Sequence, residues 1–350
     1  MTGRRILVLG AVIIGLLLTF GCRSSSSSSA NTAGQTKKIR IGFAMDALKQ
    51  ERWQKDRDLF LARAAELGAD VLLQTADGND DTQMRQVESL LTQGIDVLVI
   101  VPHNAEVAGA MVEMARRQNV PVISYDRLVK NCEPTAYVSF DNERVGELQA
   151  QYLFDRMPKG NYVLIGGAPT DNNSLLLRKG QLNILQAAID RGDIKVVADQ
   201  WAKEWLAEEA LKHAENALTQ NNNKIDAMVV SNDGTAGGVV EALKAQGLAG
   251  KVLVSGQDAE LGALQRIVAG TQSMTVYKPI SRLAPAAVEA AVALARGERL
   301  NTARTVNNGR INVPSILIEP IAVDKNNIDE TVVKDGFQKR ENIYKNIPPQ

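Results

Sequence analysis

Short apolar runs alternate with helix-period segments along most of this chain, and that alternation restricts the fold more than any other feature. Residues 41–45, 71–74, 97–101, 120–124 and 137–140 are apolar runs of strand length. Between them lie segments with apolar residues three and four apart, such as Phe60, Ala64 and Leu67, or Met84, Val87 and Leu91. A strand buried on both faces reads as a continuous apolar run, and successive βα units build a parallel sheet with helices on both faces. After residue 141 the pattern starts again, with runs at 162–165, 195–198, 225–230, 251–255 and 272–277. The sequence therefore predicts an α/β protein of two doubly wound parallel-sheet lobes. At 350 residues the chain is long enough for both.

In open α/β sheets, ligands sit beyond the carboxyl ends of the strands. Those ends carry Asp46, Asp126-Arg127, Asp171-Asn172-Asn173, Asn232-Asp233, Gln257-Asp258 and Lys278. Solvated turns are polar too, but sets so rich in Asp, Asn, Arg and Gln, drawn from both halves, point to a shared cleft. The first of these loops runs into Arg52 and Trp53, in a chain whose aromatic content is only 4%. A Trp at a helix start is often partial core. Beside an acid and a guanidinium it also suits a small polyhydroxy ligand. Sugar hydroxyls donate and accept hydrogen bonds, and an aromatic face covers the C–H face of the ring.

Other chemistries find less support. Lys+Arg and Asp+Glu both number 40, so there is no basic excess to serve as a nucleic-acid footprint. His103 and His213 lack metal-ligand spacing and are expected to be surface or loop residues. No Gly-x-Ser-x-Gly elbow, P-loop or His-Glu-x-x-His occurs; Gly166-Gly167, and Gly234 with Gly237-Gly238, echo a dinucleotide loop at the wrong spacing. No catalytic residue, metal or cofactor is expected. Paired carboxylates could in principle hydrolyse a glycoside, so an enzyme stands as the alternative to a binder. A ligand-sensing regulator would need a DNA-binding helix-turn-helix at the N-terminus, where an export signal stands instead. Residues 1–21 read as that signal: Arg4 and Arg5 precede an apolar run, residues 6–20, shorter than the ~20 residues of a membrane span. Gly21-Cys22 resembles a lipoprotein cleavage site, with Cys22 the lipidated residue and the Ser-rich stretch 22–37 a flexible tether. Cys132 is then left without a disulfide partner.

Residues 51–58 (Glu-Arg-Trp-Gln-Lys-Asp-Arg-Asp), 125–127 (Tyr-Asp-Arg), 139–143 (Ser-Phe-Asp-Asn-Glu), 171–173 (Asp-Asn-Asn), 231–233 (Ser-Asn-Asp), 255–259 (Ser-Gly-Gln-Asp-Ala) and 275–279 (Thr-Val-Tyr-Lys-Pro) carry a resemblance. Together they resemble the xylose branch of the ribose/galactose-binding family, type I periplasmic binding proteins of bacterial ABC importers. The resemblance runs over residues 38–337. It implies two lobes, a three-segment hinge, and D-xylose held in the cleft by a monomer that delivers it to an ABC permease. Another pentose or aldose, with a chemoreceptor or sensor partner, stays open. By position, Arg52, Trp53, Asp126 and Arg127 would hold the sugar from the first lobe. Asn173, Trp205, Asn232, Asp258 and Lys278 would close on it from the second lobe and the hinge. Crossings are expected near Asp141, Lys278 and Val306, giving a first lobe of 38–141 and 278–306 and a second of 142–277 and 307–350. The implied location is the periplasm, with a lipid anchor on the outer face of the cytoplasmic membrane.

Overall fold

The computed structural model describes residues 38–345. The signal, Cys22 and the tether lie outside the described residues. The chain opens with β1 (Arg40–Met45), α1 (Glu51–Glu66), β2 (Asp70–Thr75), α2 (Asp80–Thr92), β3 (Val97–Ile100), α3 (Gly109–Arg117), β4 (Val122–Tyr125) and β5 (Ala136–Phe140). It continues with α4 (Asn142–Arg156), β6 (Gly160–Gly166), α5 (Asn172–Asp190), β7 (Ile194–Trp201), α6 (Ala207–Gln220), β8 (Ala227–Val230), α7 (Asp233–Ala245), β9 (Leu253–Val254), α8 (Leu261–Val268) and β10 (Thr275–Tyr277). It ends with α9 (Ile280–Ala295), β11 (Arg304–Asn307), β12 (Asn312–Ile318), β13 (Ile321–Val323) and α10 (Arg340–Ile343).

The strands form one sheet per lobe, plus a small ribbon. The first lobe holds seven strands in the order β11-β12-β5-β4-β3-β1-β2. All pair in parallel except β11, which runs antiparallel to β12 at the edge. Residues 41–45 of β1 are buried, as a central strand covered on both faces must be. On one face Phe43 stacks on Phe60 of α1 at 4.2 Å between ring centroids, with Tyr125 edge-on at 5.8 Å from Phe43. Ile280, Leu283, Ala287 and Val288 of α9 complete that core. The other face packs on α2 and α3 through Val87, Leu90, Met111 and Val112. The second lobe holds the parallel sheet β7-β6-β8-β9 and the antiparallel pair β10-β13. Its core includes Val163, Ile165, Val230 and Val239. The expected doubly wound α/β pattern is present in both lobes.

The third crossing departs from the expected place. With a crossing near Val306, the following strand would belong to the second lobe. Instead β12 pairs in parallel with β5, from Ser315 opposite Tyr137 to Ile318 opposite Phe140. The hairpin linking β11 to β12 is pinned to the first lobe by Asn308, whose Nδ2 donates to the carbonyls of Val129 and Cys132 at 3.0 and 2.9 Å. The chain leaves the first lobe only after Ile318, and β13 then pairs with β10.

Candidate functional site

The strand ends of both lobes converge on one tight pocket, with about 20 Å³ of free space between its walls. All nine residues expected from the sequence line it. Arg52 and Trp53 project from the first turn of α1, and Asp126 and Arg127 follow β4. Asn173 stands in the first turn of α5, Asn232 caps α7, and Asp258 follows β9. Trp205 closes a single 3₁₀ turn, Lys203–Trp205. Lys278 lies on the crossing between β10 and α9. Gln50, Asp171 and Gln257 complete the lining; the strand-end pattern had pointed Asp171 and Gln257 to the cleft without giving them a role on the sugar, and Gln50 was missed. Gln50 stands two residues before Arg52, which was the available signal.

Five carboxylates and three cations form two linked clusters. Arg52 Nη2 donates to Asp56 Oδ2 at 2.8 Å and to Asp126 Oδ2 at 2.9 Å. Across the cleft, Arg52 Nη1 lies 3.5 Å from Asp258 Oδ1, and Lys278 Nζ lies 3.1 Å from the same oxygen. Arg127 Nη1 donates to Asp46 Oδ2 at 2.7 Å, while its Nε lies 2.9 Å from Asp171 Oδ2 on the opposite lobe. Burial pushes the Asp126 carboxyl up, but Arg52, Lys278 and Arg127 outweigh it and hold the group below the usual carboxylate range. Burial dominates at Asp56 and Asp171, which are raised despite Arg52 and Arg127 beside them. Such pairs add little net stability, because desolvation offsets attraction; breaking one leaves a buried charge alone.

Local backbone geometry aims these groups. Asp126 and Asp258 have φ of 58° and 97°, left-handed conformations uncommon for residues other than glycine. The Asp126 carbonyl is fixed by the Tyr137 hydroxyl at 2.9 Å, the Ser139 hydroxyl at 2.6 Å and Asn173 Nδ2 at 3.1 Å. Trp53 is oriented by its Nε1, which donates to Gln50 Oε1 at 2.8 Å, and by the Arg52 guanidinium 4.2 Å from its ring centroid. Asn232 Oδ1 accepts from Thr235 N at 3.0 Å, so its amide nitrogen is the end left to donate. Gln257 Oε1 is a buried acceptor with no hydrogen-bond donor among the described residues. An unmade buried hydrogen bond costs roughly 1–3 kcal/mol, so the pocket favours an occupant that brings donors.

His103 is the loop residue expected, with a partner the sequence did not reveal. It follows β3, and its Nδ1 lies 2.9 Å from Asp46 Oδ1, a hydrogen bond that raises its pKa. It lines an outer pocket of about 640 Å³, open to solvent, that shares Trp53, Arg127 and Trp205 with the inner one. His213 stays apart, half-buried, 3.2 Å from the Trp201 carbonyl. The lobes meet around the inner pocket: Ala105 N donates to Thr170 O at 3.1 Å, and Leu261 N to Glu51 Oε2 at 3.1 Å. Among the described residues, no group of His, Cys, Asp and Glu is arranged to hold a metal.

The family model for the periplasmic binding protein domain matches residues 41–299. The chain belongs to that family. This periplasmic binding protein is 54% identical, over 89% of its length and 95% of the relative's, to the D-xylose-binding periplasmic protein of Escherichia coli strain K12. It is 53% identical to the protein of the same description from Haemophilus influenzae, over 94% and 98% of the two chains. Among solved structures, a carbohydrate transporter solute-binding protein from Chloroflexus aurantiacus, in complex with D-glucose, superposes with a TM-score of 0.83. That protein shares 30% identity, over 88% of this chain and 98% of its own. These binding-protein relatives match the family and the two-lobed fold expected from the sequence. No helix among the described residues is long and apolar enough to cross a membrane.

Proposed function

We propose that this periplasmic binding protein captures D-xylose in the inner pocket and presents it to an ABC importer, without chemistry of its own. The observation that carries the proposal is the pocket itself: small, lined from both lobes by acids, amides, cations and two tryptophans, and edged by an unpartnered acceptor at Gln257. Asp126 and Asp258 accept from sugar hydroxyls, while Arg52, Arg127, Lys278, Asn173 and Asn232 donate. Trp53 and Trp205 supply the ring faces. Relatives described as D-xylose-binding support the pentose over other sugars.

A glycosidase reading is less well supported. It needs one carboxylic acid holding a proton for the leaving group. Asp126 is held in its ionised form by Arg52, Lys278 and Arg127. Asp171, although raised, has both oxygens engaged, Oδ1 by Asn173 N and Oδ2 by Arg127 and Trp205 Nε1. The deciding experiment is a thermal-shift and calorimetric panel of D-xylose, D-ribose, L-arabinose and D-glucose. A ligand at a hundred times its Kd stabilises the folded state by about 2.7 kcal/mol, and D-xylose is expected to give the largest shift. A shift with another sugar and none with xylose overturns the assignment. The working form is taken to be a monomer anchored by lipid at Cys22. A Cys22→Ala variant should then leave the membrane fraction for the soluble one; a wild type already soluble would rule the anchor out.

A further inference from the structure

Two adjacent glycines, Gly166 at the end of β6 and Gly167 after it, each carry a tryptophan ring against the backbone. A methyl on Gly166 would meet the ring of Trp201. One on Gly167 would lie under 3.0 Å from three atoms of the six-membered ring of Trp205. Trp205 lines the inner pocket, whereas Gly167 does not. The ring is held on this shelf from other directions too. Its Nε1 donates to Asp171 Oδ2 at 3.2 Å, and its backbone N donates to Ala202 O at 3.1 Å. Ala202 N in turn donates to Gly166 O at 2.9 Å, tying the turn to the strand end. Glu204 and Trp205 take consecutive left-handed φ values of 52° and 59°, which turn the indole back toward the strand end.

We infer that Gly167 is a positioning residue that sets how far Trp205 reaches into the sugar pocket, and through it which sugars fit. The Gly-Gly pair that echoes a dinucleotide loop in the sequence serves here for the close approach of an aromatic wall. An indole is a rigid plate, so a methyl beneath it has to push the plate toward the space on its other side. In a pocket this tight, that displacement falls on the ligand. The inference rests on the sugar-binding reading above.

The test is a double-variant cycle by titration calorimetry with D-xylose, D-ribose, L-arabinose and D-glucose, on Gly167→Ala, Trp205→Ala and the combination. Gly167→Ala should weaken the preferred sugar by about tenfold or more, the scale of overpacking a tight site. It should also change the ratio of affinities among the four sugars. In the Trp205→Ala background the added methyl occupies space the ring has left, so the double variant should bind as Trp205→Ala does. Wild-type affinity and selectivity in Gly167→Ala would overturn the inference, as would a further loss in the double variant. If Gly167→Ala alone fails to fold, a folded double variant supports the inference and an unfolded one refutes it. A wild type that prefers a sugar other than xylose defeats the pentose assignment, and the cycle is then read with that sugar. Binding none of the four defeats both.

Discussion

Asp258 concentrates the strain and the charge of the site in one residue. Its φ of 97° costs of order 1–3 kcal/mol, and its carboxylate draws together Lys278 from the crossing and Arg52 from the opposite lobe. Asp258→Ala removes that acceptor and leaves two cations facing each other. A lost hydrogen bond to a charged group costs ~1.5–3 kcal/mol, about ten- to a hundred-fold in Kd. Titration with D-xylose checks this, and wild-type affinity in the variant would show that Asp258 does not touch the sugar. Residues such as Asp258 were legible in the sequence because each stands directly beyond an apolar strand run. His103 stands in such a place as well, directly after Pro102. Its partner Asp46 is 57 residues away in the chain, and only the pairing of β1 with β3 brings them together. Sequence spacing carries no trace of that contact.

At the scale of elements, the start of α8 carries a pH dependence. Glu260, its N-cap, is pushed up to about 8 by burial and by Asp233, Asp258 and Glu51, with Arg266 opposing. Below its ordinary value of 4.5 the side chain is neutral whether the protein is folded or not. Between there and about 8 the unfolded chain releases the proton while the folded one retains it, so stability falls as pH rises, then levels off. Gln does not titrate. The melting temperature of Glu260→Gln relative to wild type should therefore climb from pH 4.5 to 8 and stay flat above. A difference independent of pH would mean that the carboxyl is ionised in the fold. Elements were more legible than their partners. The side-chain period of a segment such as β12 identifies a strand and not the sheet it joins. The bonds from Asn308 that hold the β11–β12 hairpin to the first lobe reach back 179 and 176 residues, and they moved the crossing past Val306.

For the whole molecule, a site divided between lobes links binding to closure. A ligand shifts the equilibrium between open and closed forms only by its differential affinity for them, and a sugar touching both walls favours the closed form. Small-angle scattering should record a smaller radius of gyration at saturating D-xylose; an unchanged profile would mean that the lobes do not move on binding. The threading of the chain between the lobes has another consequence, for the order in which the protein is made. The first sheet needs β12 beside β5, and its core needs α9 against α1, yet both arrive after residue 277. The second lobe needs β13, later still, to pair with β10. Neither lobe is a contiguous stretch that a ribosome could finish early, so a chain emerging N-terminus first stays incomplete until almost all of it is made. A polypeptide that must cross a membrane before it folds is served by that delay, and no single cut divides this one into two self-sufficient halves.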